Sequence, residues 1–113
     1  MFHYKNNSLY IDQVNAADIA KQIPTPFYLY SSNQLKENFL KYQNAFIDQN
    51  VLICFAVKAN SNLSVLHALG KLGSGADCVS EGEIRKAIAA SITSERIVFS
   101  GVGKTKQELS SSE

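Results

Sequence analysis

The sequence predicts an α/β fold built on a parallel sheet, and three observations carry that expectation. From residue 51 onward, apolar runs alternate with amphipathic stripes of helical spacing in the order strand, helix, strand, helix, strand, with short connections. The run Val51-Leu52-Ile53-Cys54-Phe55-Ala56-Val57 is seven apolar residues, long enough for a strand buried on both faces. Lys58, Ser80 and the Gly101-Val102-Gly103 loop follow directly on three such runs, at the carboxyl ends of strands, where sites of parallel-sheet folds gather. Both an open doubly wound sheet and a portion of a (β/α)8 barrel satisfy this pattern.

Taken in order, residues 2 to 11 alternate loosely around Asn6-Asn7, a pair suited to the turn of a small hairpin that leaves Leu9 and Ile11 on one face. Asn15 or Asp18 caps a short helix through Ile19, Ala20 and Ile23, and Pro24-Thr25-Pro26 stops it. Phe27-Tyr28-Leu29-Tyr30 reads as a strand. Ser31, Ser32 or Asn33 caps the next helix, with Leu35, Phe39, Tyr42 and Phe46 forming one apolar stripe.

After the lysine strand, Ser61 or Asn62 caps a helix with the stripe Val65, Leu66, Leu69 and Leu72, and Gly73 falls where a left-handed terminal residue is wanted. Gly75 to Val79 is a short strand. Ser80 opens a helix through Ile84, Ala87, Ile88 and Ile92, and Arg96 to Ser100 is a further strand.

Composition narrows the function. With 113 residues and 45% hydrophobic content, the chain fits one ordinary core. Eleven Lys and Arg against ten Asp and Glu give a formal charge of +1, so no basic field calls for nucleic acid or an anionic membrane. Cys54 and Cys78 sit in apolar segments without metal or redox spacing, and read as buried thiols of a reducing compartment. The first residues lack a signal-peptide core and no long apolar span occurs, so the expected location is the cytoplasm and the expected partner a small molecule.

Lys58 is the residue on which chemistry is expected. An amine at the end of an apolar strand is partly desolvated, which favours the neutral nucleophile of imine chemistry, although an ordinary solvated lysine is the plainer reading of the strand taken alone. Gly103-Lys104-Thr105 ends like a phosphate loop, but the position five before Gly103 is Val98, inside a strand, so the loop that would cradle phosphates is missing. Glu83, three residues after Ser80, completes a capping box. Asp77, within an apolar strand, needs a partner, through either a role near Lys58 or a hydrogen bond on the turn side. His3 and His67 have no ligand companions, and metal binding has no support.

The segment Phe55-Ala56-Val57-Lys58-Ala59-Asn60-Ser61-Asn62 resembles the cofactor-lysine segment of the diaminopimelate decarboxylase family, pyridoxal-phosphate enzymes of the alanine racemase-like barrel fold. The likeness extends through residues 25–31, 73–84 and 97–105, in family order. It implies that Lys58 forms an imine with pyridoxal 5′-phosphate, that Asp77 and Glu83 lie near the cofactor, and that the reaction turns meso-2,6-diaminopimelate into L-lysine and carbon dioxide. Ornithine and arginine decarboxylases, carboxynorspermidine decarboxylase and alanine racemase share the lysine but match the flanking residues less well.

The resemblance also sets the expected domains: residues 1–33 as N-terminal strands of a separate β domain, and 34–113 as the first β/α units of a pyridoxal-phosphate barrel. The full-length family is expected to be homodimeric. The family's ring-stacking histidine, glycine-rich phosphate loop, Glu-Pro-Gly-Arg segment and Cys-Glu-Ser segment are absent from the 113 residues. A closed barrel takes about 250 residues. The expectation is therefore the N-terminal portion of such an enzyme, too short to close the barrel and inactive alone.

Overall fold

In the computed structural model of the chain, residues 1–100 and Lys106 are described. The chain divides into two units, Met1–Asn38 and Phe39–Glu113.

The first unit holds an antiparallel sheet of β1 (Phe2–Lys5), β2 (Ser8–Ile11) and β3 (Val14–Asn15). Lys5 pairs with Ser8, so Asn6-Asn7 is a two-residue loop. Both asparagines have positive φ, 52° and 63°, as the twist-matched hairpin turn requires. His3 and Tyr10 are direct cross-strand partners and their rings stack at 5.7 Å. Asn15 caps α1 (Ala16–Gln22) by accepting from the Ala17 amide. Ser31 opens α2 (Ser32–Ala45), its hydroxyl accepting from the Gln34 amide at 3.0 Å.

One interaction that composition did not announce ties this unit together. The Ser31 hydroxyl donates to Asp12 Oδ1 at 2.6 Å, the Asn33 amide donates to Asp12 Oδ2, and the Met1 amino group pairs with the same carboxylate. Asp12, in the turn between β2 and β3, thus holds the start of α2.

The second unit contains a parallel sheet of β4 (Cys54–Ala56), β5 (Gly75–Cys78) and β6 (Ile97–Phe99), in sequence order. A 3-10 turn (Val57–Ala59) and α3 (Leu63–Lys71) join β4 to β5, and α4 (Glu81–Ala89) with a second 3-10 turn (Ser94–Arg96) joins β5 to β6. These are the β-α-β units expected from the alternation. Asn62 caps α3 by accepting from the Ser64 and Val65 amides. The helices bury Val65, Leu66, Leu69, Ile84 and Ala87.

Val57, Leu66, Ala76, Cys78, Ile84, Ala87, Ala90 and Ile92 form one continuous core, with Phe55, Ile97 and Phe99 packed on it. Burying side chains the size of Leu66 and Ile84 contributes roughly 1.5–3 kcal/mol each. No helix among the described residues is long and apolar enough to cross a membrane.

Four sequence expectations are corrected. The seven-residue buried strand is in fact three residues long, with Val51 and Leu52 exposed. Its ladder starts where Ile53 accepts from the Gly75 amide and ends where the chain curls into the 3-10 turn. Residues 27–30 alternate in burial as a strand would, but they join no sheet among the described residues, and Tyr28 and Tyr30 are exposed. Tyr42 and Phe46, expected on a buried stripe, are also exposed, leaving Phe39 as the buried residue of α2. Ile88 is exposed, because Ala87, one position earlier, takes the core-facing direction.

Candidate functional site

The sheet register brings the singled-out residues to one end of three adjacent strands. Ala56 of β4 stands beside Asp77 of β5, and Asp77 beside Val98 of β6. Lys58 therefore lies two residues beyond Asp77's neighbour on one side, and Ser100 two residues beyond its neighbour on the other.

Lys58 sits in the middle of the 3-10 turn that ends β4, and its side chain is exposed. The partial burial expected of it is not found among the described residues, because the turn spends its buried position on Val57 and directs the next residue outward. The amine has no hydrogen bond or ion pair among the described residues, so it is open to a reacting carbonyl. The Asn60 amide donates to the Val57 carbonyl and Asn60 Oδ1 accepts from the Asn62 amide, which fixes the backbone after the lysine.

Asp77 is half-buried rather than buried, and its partner is on the next strand. The Ser100 hydroxyl donates to Asp77 Oδ1 at 2.5 Å. Glu83 performs the expected capping, with a difference of one residue. Ser80 accepts from the Glu83 amide at 3.2 Å, while Glu83 Oε1 accepts from the Val79 amide at 2.9 Å, reaching past the cap residue to the one before it. The two carboxylates bear on the thiol beneath them. Burial first, then the charges of Glu83 and Asp77, push the Cys78 thiol up to about 11 from 9.0. Cys54, half-buried, is raised in the same direction by burial and then by Asp77.

Sequence reasoning placed Ser100 at a strand end but did not pair it with Asp77. The signal was there in kind: a small hydroxyl one residue past the apolar part of β6, beside a strand whose acid lacked a partner. Residues 101–105, where the glycine loop was expected to join this end of the sheet, lie outside the described residues. A cleft of about 330 Å³ lined by Gln43, Asn44, Phe46, Ile47, Gln49, Val51 and Ile53 lies before β4, at the opposite end of that strand from Lys58, and carries no titratable group. No group of three or more His, Cys, Asp or Glu side chains able to hold a metal occurs among the described residues.

This end of the sheet thus presents the exposed Lys58 amine, the Asp77 carboxylate held by the Ser100 hydroxyl and the Glu83 carboxylate at the start of α4. The sequence pattern described as pyridoxal-dependent decarboxylase, pyridoxal binding domain, matches residues 32–113. The chain belongs to this family. Pyridoxal-dependent decarboxylases of one kind recur among its relatives. The diaminopimelate decarboxylase of Helicobacter pylori strain J99 is 53% identical over 95 residues, which is 84% of this chain and 24% of that protein. The solved diaminopimelate decarboxylase from M. jannaschi superposes with a TM-score of 0.92 at 36% identity, over 98% of this chain and 27% of that one. The Helicobacter pylori enzyme solved in complex with L-lysine superposes with a TM-score of 0.82 at 51% identity, over 87% of this chain and 25% of that one. The chain spans about a quarter of the length of the curated relatives it matches.

Proposed function

We propose that the chain is the cofactor-attaching part of a diaminopimelate decarboxylase, in which Lys58 holds pyridoxal 5′-phosphate covalently and the reaction turns meso-2,6-diaminopimelate into L-lysine and carbon dioxide. The observation that carries this reading is the Lys58 amine at the end of β4, without a partner among the described residues, in a chain about half identical to diaminopimelate decarboxylases. That the Helicobacter pylori relative was solved with L-lysine fits a product of that structure. The β1-β2-β3 sheet belongs, on this reading, to a separate β domain, and β4-β5-β6 with their helices to a barrel that these strands do not close.

The roles of the residues follow from their chemistry. Lys58 is the nucleophile for the cofactor's carbonyl and, when released, a base placed to return a proton. Asp77, fixed by Ser100, offers a carboxylate to the polar side of the cofactor. Glu83 holds the start of α4 through Val79, keeping the segment between β5 and α4 in place at the site's edge. When bound, pyridoxal phosphate supplies an electron sink for the pair left behind as carbon dioxide departs.

The test is to incubate the chain with pyridoxal phosphate, reduce with borohydride and map the adduct. Labelling of Lys58 supports the reading. A label elsewhere, with Lys58 unmodified, overturns it. For the substrate, the 113 residues alone are expected to show no turnover of meso-diaminopimelate, since the family's phosphate and substrate segments are not among them. Lysine formation by the chain alone would refute that expectation.

A further inference from the structure

We infer that Ser100 is the positioning residue of Asp77, holding that carboxylate in the one orientation it can present to the cofactor; the inference rests on the reading of Lys58 and Asp77 given above. Three features of the structure argue for it. The bond is short, 2.5 Å, in the range of a hydroxyl donating to a charged carboxylate. It is also the only hydrogen bond to the Asp77 carboxylate among the described residues, so no other polar contact there orients it. And the serine is itself fixed, because its amide donates to the Cys78 carbonyl at 3.0 Å, continuing the β5-β6 ladder one step past Phe99.

An ionised carboxylate only accepts, so the proton shared between the two groups comes from Ser100. Two consequences follow. Asp77 is tied across the ladder to β6, and its second oxygen has no hydrogen bond among the described residues. The serine oxygen, with its proton committed, can only accept from a ligand. A polar group arriving at this end of the sheet therefore meets acceptors from both residues, which favours a cofactor or substrate face that carries donors. The sequence alone offers no such distinction, since a serine is ordinarily free to do either.

The experiment uses the full chain loaded with pyridoxal phosphate and reads the circular dichroism induced in the cofactor band, which depends on how rigidly the ring is held, together with cofactor affinity. Ser100→Ala is expected to weaken the induced signal and the affinity several-fold while borohydride still labels Lys58. Ser100→Thr, which keeps the hydroxyl, restores both and also covers the case in which the alanine variant folds poorly. Asp77→Asn should lose at least as much as Ser100→Ala, and adding Ser100→Ala to Asp77→Asn should cost nothing further. An unchanged signal in Ser100→Ala, or losses that simply add in the double variant, overturns the positioning role while the Lys58 reading stands. A parent chain labelled at Lys58 that gives no induced signal overturns the positioning role alone; if borohydride leaves Lys58 unlabelled, or Lys58→Ala keeps the signal, the underlying reading falls, and the role of Ser100 falls with it.

Discussion

Gly73 and Ser91 occupy the same place in two copies of one helix ending. After α3 the Gly73 amide donates to Gly70 and the Ser74 amide to Leu69; after α4 the Ser91 amide donates to Ile88 and the Ile92 amide to Ala87. Both residues have positive φ, 103° and 72°, as this ending demands, but only one of them is a glycine. Ser91→Gly is expected to stabilise the second unit by about 1 kcal/mol, and Gly73→Ala to destabilise it by about the same amount, since a Cβ is disfavoured in the left-handed region. Urea midpoints of the two variants, moving in opposite directions, check this.

Gly75 is constrained by space instead of by its backbone angle. A Cβ there would lie 2.5 Å from the Arg96 carbonyl oxygen and 2.7 Å from the Cys54 sulfur. The carbonyl belongs to the chain entering β6 and cannot swing away. Gly75→Ala is expected to cost about 1–3 kcal/mol through displacement of the β4-β5-β6 ladder. The loss should appear in thermal unfolding, and faster amide exchange at residues 75–78 should accompany it.

The first unit should weaken in acid through Asp12. Hydrogen bonding from the Met1 amino group, then from Ser31, and also from Asn33, holds this carboxyl below its ordinary 3.8. A depressed folded-state value contributes stability above the unfolded value and loses it as pH falls through the folded one. Amide exchange at the start of α2 should therefore speed up below about pH 4, and Asp12→Asn should remove that dependence while weakening the helix start at neutral pH.

The thiols should resist modification until the chain unfolds. With Cys78 pushed up to about 11, about one molecule in a thousand carries the thiolate near pH 8. Alkylation by iodoacetamide is expected to be slow in the folded chain and to accelerate sharply in urea, with mass spectrometry assigning the sites. Because the folded-state value lies above the unfolded 9.0, the contribution to stability is complete below pH 9.0 and is lost as pH rises towards about 11.

Local chemistry in the sequence carried over well to the structure. Asn6-Asn7 turns the hairpin, Asn15, Ser31, Asn62 and Ser80 cap their helices, and Gly73 ends one, because each acts through hydrogen bonds within a few residues of itself. The β-α-β alternation was legible for the same reason. What could not be read off were relations set by register. Asp77 meets Ser100 only because β5 and β6 align as they do, and Tyr42 and Phe46 carry an apolar spacing that states what such residues suit, not what lies beside them. The lysine run shows the limit most clearly: seven apolar residues give no sign that the last of them begins a helical turn.

That turn ties the Lys58 amine to the interior. Val57 is wholly enclosed by the core, while Lys58, the next residue, is in open solvent. Along a strand such a neighbour would point to the opposite face, but within a 3-10 turn it is rotated by about a third of a revolution. The direction of the amine is thus keyed to the fit of a valine that no ligand reaches. A change of one or two methyl groups at Val57 would disturb the packing that sets the turn, and with it the direction of Lys58, without altering any atom of the lysine.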